Sequence, residues 1–398
     1  MVKTSQEEEK MPQPSLQDDA SRNRLTVLHV GDIFLDGPVG RLRRDTKEHR
    51  RAELRDAFEA FLQIVDREEA DVVVFSGNLL DGRYTGNDTL TFLLRAFEKR
   101  PACHFVIAPG PYDPYDESSI YRTKRFSRNV HVFLEEVLGT YSFPELPVTV
   151  YGWGYREETC NHAPLAGVHK TAGDRFTLLC GYTCLEEPEG GTAPVDEGAI
   201  AAFGAHYTAL SGGIHDGFHR AGGGIYAYSG SFEGRDSEKV AEQSGGYIRV
   251  VATREAEGWR VEAERRPLDT YSYVTERLDV SHLSTADDVR RRLEARIQER
   301  GYGAKTVLRL VLVGSVPLRA SFEGLDAESY GLYSVWVEDR TVPTDECELL
   351  LREMTARGEL YRYFYPQMTE GEEEDRARAA RAFRIGYAAL VGEDFAKY

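Results

Sequence analysis

The chain has 398 residues, so at about 150 residues per domain it can form two or three domains, each burying its own core. Hydrophobic residues make up 41% and charged residues 29%, and 49 Lys and Arg against 66 Asp and Glu leave a net charge of −17. That balance argues against autonomous nucleic-acid binding, which needs clustered Lys and Arg, but leaves room for a local basic groove or a positively charged partner. No run approaches the ~18 consecutive apolar residues of a membrane span. The N-terminal stretch MVKTSQEEEKMPQPSLQDD has no apolar run and does not read as a signal peptide. Five cysteines, at 103, 160, 180, 184 and 347, are too scattered for a disulfide framework, so a cytoplasmic protein is expected.

Residues 1–23 are polar and acidic and are expected to stay disordered. Leu25–Val30 reads as a buried strand. From Glu48 to Glu68, Leu54, Phe58, Phe61, Leu62 and Val65 recur at helical spacing. Asp71–Phe75 is a second strand, Leu90, Leu93, Leu94 and Phe97 mark a second helix, and His104–Ile107 is a third strand. This alternation predicts parallel pairing in an α/β layer fold. After Arg128 short strands dominate: 131–134, 148–151, 176–179, 207–210, 225–228, 247–251 and 259–264, with one helix over 196–203. The main domain is placed at 24–267. A β-α-β unit follows at 268–330, with strands 272–279 and 306–313 around helix 285–300. Residues 331–398 are read as helical, from Glu346 to Phe364, with Pro366 as the stop, and from Glu372 to Leu390.

In open α/β sheets, ligands sit at the carboxyl ends of strands. Five exits here carry glycine-marked polar loops: Gly31-Asp32-Ile33-Phe34, Gly77-Asn78-Leu79-Leu80-Asp81, Gly110-Pro111-Tyr112-Asp113, Cys180-Gly181-Tyr182 and Gly212-Gly213-Ile214-His215-Asp216. Five such exits argue for one convergent site.

Their order and spacing resemble the calcineurin-like metallophosphoesterases, which carry Asp-x-His, Gly-Asp-x-x-Asp, Gly-Asn-His-Asp, a lone His and Gly-His-x-His after successive strands. The stretch Tyr226–Arg235, followed by Gly245-Gly246-Tyr247, is similar to a segment of the SbcD-type DNA-repair exonuclease subunit. The resemblance implies a layered α-β-β-α sandwich with a small β-α-β capping domain and C-terminal helices. It also implies that the family's two-metal site is degenerate here. Asp32 matches the first ligand, but Phe34 replaces a His, and Asn78 stands where a carboxylate bridges both ions. Pro111 replaces an Asn, Tyr112 replaces the acid His, and Asp113 remains. Cys180 falls at the lone His, Gly213 replaces a His, and His215 matches the last one.

Three readings follow. The first is a non-catalytic subunit without a cofactor, partnered by an SbcC-type ATPase with a coiled coil and meeting DNA only through that complex. The second is a working phosphoesterase or exonuclease with a single Mg²⁺ or Mn²⁺ on Asp32, Asn78 and His215, helped by Asp81 or Asp113. The third is a small-molecule or nucleotide binder whose vacated pocket is lined by Phe34 and Tyr112. The resemblance further implies that the C-terminal helices dock on the ATPase, and helix-in-groove docking through side chains at three- and four-residue intervals makes Phe383 and Tyr387 the expected anchors. The sequence leaves a homodimer open and gives no reason to expect a membrane partner. Each residue also has a plainer role. Asp32 and Asp81 suit turns, His215 suits a hydrogen-bonded loop, and Cys180 and Cys184 suit a core. Cys160, His162 and His169 lack the ligand pairs of a zinc site.

Overall fold

The computed structural model describes residues 22–37, 44–123, 125–170, 173–185, 191–212, 217–234, 242–281, 283, 285–320, 322, 324–325, 330–343 and 348–393. All but the last two residues of the expected acidic tail lie outside that range. Contacts divide the chain into two units: residues up to 37, 59–230 and 247–266 form one, and 38–58, 231–246 and 267–398 the other.

The first unit holds β1 (Arg24–Val30), the second half of α1 (Arg44–Arg67), β2 (Val72–Phe75), α2 (Asn87–Glu98), β3 (His104–Ile107), α3 (Ile120–Thr123), β4 (Val130–Val132), β5 (Gly139–Ser142), β6 (Val148–Gly152), β7 (Phe176–Tyr182), α4 (Glu197–Phe203), β8 (Tyr207–Ser211), β9 (Phe218–Ala221), β10 (Gly224–Tyr228), β12 (Gly246–Glu255) and β13 (Gly258–Pro267). One sheet runs β13-β12-β1-β2-β3-β4 and the other β5-β6-β7-β8-β10-β9. Strands β1 to β4 pair in parallel, as do β6, β7, β8 and β10. The near-continuous Val, Ile and Leu runs of these strands follow from this arrangement, because both faces of each sheet are covered.

Val27, Val72, Val74 and Val106 of one sheet and Val150, Phe176, Leu178 and Ala209 of the other share one core. On the outer face of the first sheet, Phe97 of α2 stacks on Phe105 with ring centroids 4.3 Å apart. On the outer face of the second, Ile200 and Phe203 of α4 pack with Tyr151, Leu179 and Leu210. The layers are therefore α-β-β-α, as the resemblance implies. Short edge strands β5 and β9 and the single-turn α3 escape the sequence reading because four residues carry too little periodicity.

The second unit is built on β11 (Glu242–Gln243), β14 (Ser272–Asp279), β15 (Thr306–Val313) and β17 (Ser334–Asp339), in the order β11-β14-β15-β17. Helix α5 (Ala286–Arg300) connects β14 to β15 and buries Val289, Leu293 and Ile297, and the Thr285 side chain caps it by accepting from the Asp288 amide. A small pair, β16 (Ser315–Val316) and β18 (Val342–Pro343), and three helices complete the unit: α6 (Glu348–Leu351), α7 (Ala356–Thr369) and α8 (Glu373–Val391).

Three expectations need correction. Residues 334–339, read as part of a helical segment, form a strand parallel to β15, because the Val335-Trp336-Val337 run suits a pleated surface. Pro366 lies inside α7, and the helical stretch breaks earlier instead, between Leu351 and Ala356. The domain 24–267 is not one contact unit either. Residues 38–58 and 231–246 join the second unit, where Arg50 is fully buried, pairs with Glu233 at 2.5 Å and lies 3.6 Å from the Tyr271 ring centroid.

Phe383 is fully buried between α7 and α8 against Tyr361, with centroids 5.2 Å apart, so it is a packing residue and not an available anchor. Tyr387 is half-buried against the same cluster. We expect Phe383→Leu to lower stability by about 1 kcal/mol in urea unfolding, since it shrinks a closed core site without opening a large cavity. An unchanged midpoint would place Phe383 outside the core.

Candidate functional site

The exits of β1, β2 and β3 are joined by main-chain bonds. The Asp32 amide donates to Gly77 O at 3.0 Å, the Phe34 amide to Asn78 O at 2.9 Å, and the Leu35 amide to Leu79 O at 3.1 Å. Asp32, Phe34 and Asn78 all hold left-handed backbone, with φ of 50°, 52° and 52°. Such conformations cost non-glycine residues of order 1–3 kcal/mol each and persist where surroundings over-determine them. Gly31 is required by close approach, because a Cβ there would fall 1.8 Å from Ser211 Oγ.

The side chains at these exits bond to each other. Asn78 is fully buried. Its Nδ2 donates to Asp32 Oδ1 at 2.7 Å, and its Oδ1 accepts from the Tyr112 amide at 3.1 Å. Phe34 and Tyr112 meet edge to face, with centroids 5.1 Å apart, and Tyr112 remains 49% exposed. Pro111 borders the small pocket beside Tyr112.

The fourth exit differs from the sequence reading. Phe176, Leu178 and Cys180 point into the inter-sheet core, where Cys180 is fully buried. Burial pushes its thiol far above the usual range. Strand side chains alternate with a rise of ~3.3 Å, so the next residue on that face, and the one that reaches the exit, is Tyr182. Its ring packs against Gly77 and Gly212, where added Cβ atoms would lie 2.6 and 2.8 Å from ring carbons. Its hydroxyl lies near the Asn78 side chain, and burial, with the nearby Asp32 charge, holds the phenol well above its ordinary range. Tyr155 meets the ring edge to face at 5.6 Å. The alternation over 176–182 and the flanking glycines were the available signals for Tyr182.

Asp113 is buried and ties the loops together. Its carboxylate accepts from the Gly110 amide at 2.7 Å, the Leu80 amide at 3.1 Å and the Tyr121 hydroxyl at 2.7 Å. Burial raises it to about 6 against these three donors. Asp113→Asn turns an amide donor toward one of them, so we expect a loss of about 1–2 kcal/mol, read from urea midpoints at neutral pH. No change would remove Asp113 from its positioning role. Asp81 accepts from the Arg83 amide at 3.2 Å, as a turn Asp does.

Beneath the exits lies a buried polar chain. His29 Nδ1 meets Tyr207 Oη at 2.9 Å, His29 Nε2 meets Ser76 Oγ at 2.9 Å, and Ser76 Oγ meets Ser211 Oγ at 2.6 Å. Burial lowers His29 to about 3, so it is neutral in the folded protein.

Asp32, Phe34, Asn78, Pro111, Tyr112 and Asp113 therefore converge, with Tyr182 in place of Cys180. Gly213 and His215 lie outside the described residues. Among those described, no group of three or more His, Cys, Asp or Glu is placed to hold a metal ion. Cys160 is buried, with its thiol on the His162 carbonyl. No described helix is long and apolar enough to cross a membrane.

Residues 25–196 match the calcineurin-like phosphoesterase family. No curated protein matches the sequence. Among solved structures, it is similar to Vps29 complexed with Zn²⁺ from Entamoeba histolytica, at 12% identity over 61% of this chain and 99% of that one, with a TM-score of 0.30. It is also similar to TT1561 of Thermus thermophilus, at 13% identity over 61% and 99%, with a TM-score of 0.34. A predicted phosphoesterase from Streptococcus pneumoniae is 9% identical over 61% and 100%, with a TM-score of 0.28. At this distance they are likenesses only. The family match covers residues 25–196, less than half of the chain.

Proposed function

We propose that the chain is a non-catalytic, SbcD-type subunit of a DNA-processing complex, working beside an SbcC-type ATPase and reaching DNA through it. The observation that carries the first half is the bonding of the exits to one another. Two dications ~3.5–4 Å apart need anionic ligands to offset their repulsion. Phe34 and Pro111 offer no side-chain donor, and Asn78 already uses both ends of its amide. The Tyr182 ring fills the space between Gly77 and Gly212. The described residues do not fit a dinuclear centre. The single-ion reading is also weakened, because Asn78 turns its amide nitrogen toward Asp32. Phe34 packs edge to face on Tyr112, and the pocket of about 160 Å³ beside Tyr112 is not lined by Phe34, so the third reading, a pocket lined by both rings, has less support.

The partner half rests on the resemblance and on exposed apolar side chains in α6, α7 and the turn between them: Leu349 at 72%, Met354 at 91% and Tyr363 at 68%. These take the place of Phe383 as expected anchors. Two assays test the reading. Bis-p-nitrophenyl phosphate and single-stranded DNA with Mn²⁺ should show no metal-dependent turnover, and turnover that disappears in Asp32→Ala would overturn the non-catalytic half. Leu349→Asp with Tyr363→Asp should abolish co-purification with the ATPase while the melting transition stays in place. Retained co-purification would move the interface elsewhere.

A further inference from the structure

On the outer face of the first unit, a groove of about 580 Å³ runs between α1 and α2, and the exits described above do not use it. Leu62, Phe92 and Ala96 are among its lining residues, and they form an apolar floor. Arg95 and Lys99, one turn apart at the end of α2, stand on its wall, and both are exposed. Among the described residues neither has an ion pair or a side-chain hydrogen bond. Arg100, by contrast, engages Asp66 through two bonds of 2.7 Å.

The positive charge extends beyond the helix. The Asn129 side-chain amide donates to the carbonyls of Phe97, Arg100 and Cys103 at 3.1, 2.9 and 2.9 Å. These bonds tie the segment carrying Arg125 and Arg128 to the end of α2. Both arginines are exposed and, among the described residues, also lack an ion pair. Cations in a last helical turn offset the helix dipole, which accounts for Arg95 and Lys99 in part. It does not account for Arg125 and Arg128, which lie outside any helix. In a chain of net charge −17, Arg95 and Lys99 on the groove wall, and Arg125 and Arg128 on the segment tied to the end of α2, have no acidic partner among the described residues and make that end locally positive.

We propose that this groove docks an acidic amphipathic helix of a partner protein. Its apolar side chains, at three- and four-residue spacing, cover Leu62, Phe92 and Ala96, and its carboxylates sit over Arg95 and Lys99. Glu59 and Asp88 line the groove as well, and Asp88 sits in the first turn of α2. The peptide's acids must therefore gather at the Lys99 end, which fixes its direction. A nucleic acid would use the cations but leave the apolar floor without a role, so the observations favour a peptide.

The test uses the full chain and two fluorescent probes of equal charge. One is a four-turn helical peptide with leucines at three- and four-residue spacing and glutamates in its last two turns. The other is a single-stranded thymidine oligonucleotide. The peptide is expected to bind more tightly than the oligonucleotide. Arg95→Glu with Lys99→Glu should weaken the peptide roughly tenfold or more, and Phe92→Asp should do the same. Asp32→Ala should leave peptide binding unchanged, which keeps this site separate from the reading of the strand exits. All these variants should melt with wild-type cooperativity, which excludes unfolding as the cause of weakened binding. Absence of peptide binding, tighter oligonucleotide binding, or peptide binding indifferent to Phe92→Asp would overturn the proposal.

Discussion

Lowering the pH from 6.5 to 4 is expected to destabilise the first unit by roughly 3 kcal/mol through His29 alone, at about 1.36 kcal/mol per pH unit. His29 is fully buried, and burial lowers it from 6.5 to about 3. A histidine depressed in the folded state contributes stability that is present above its unfolded value of 6.5 and is lost as pH falls toward 3. Burial also lowers His131 and His206 to about 4, so both act in the same direction. Asp113 opposes them, because its raised value of about 6 makes its contribution fall as pH rises from 4 to 6. His29→Gln isolates the effect. Urea midpoints of wild type should fall across this range, and those of the variant should fall less steeply by about one proton's worth. Equal slopes would mean that His29 is not the buried neutral group described here.

Removing the Tyr182 ring is expected to cost about 3–4 kcal/mol. Tyr182→Ala empties the space between Gly77 and Gly212 and strips Tyr155 of its edge-to-face neighbour. Large aromatic truncations in closed sites fall in this range, with the spread set by how far the site collapses. Tyr182→Phe keeps the ring and removes only the hydroxyl, so a loss of no more than about 1 kcal/mol is expected. The pair separates the packing of the ring from the role of its hydroxyl. Chemical denaturation reads both, and a Tyr182→Ala variant as stable as wild type would show that the ring does not fill the floor of the exits.

The sandwich was legible in the sequence because its strands are buried on both faces. Val72–Phe75 and His104–Ile107 read as continuous apolar runs between helices with clear periodicity. The exits were legible through their glycines. The choice between Cys180 and Tyr182 was not, because motif spacing counts positions along the chain, whereas the side chain that reaches the site is set by strand alternation and by where β7 ends. Phe383 lay on the expected helical face, but periodicity gives a face without saying what covers it, and α7 covers it. The non-contiguous second unit depends on pairings such as Arg50 with Glu233, separated by most of a domain in sequence and without a local signature.

Anomalous diffraction from crystals soaked in excess Mn²⁺ tests the non-catalytic reading most directly. The exits bond to one another through Asp32, Asn78 and Tyr112, and the Tyr182 ring lies among them. No pair of adjacent peaks is expected between Asp32 and Asn78. Two peaks ~3.5–4 Å apart there, the separation of a working two-metal phosphoesterase, would contradict it.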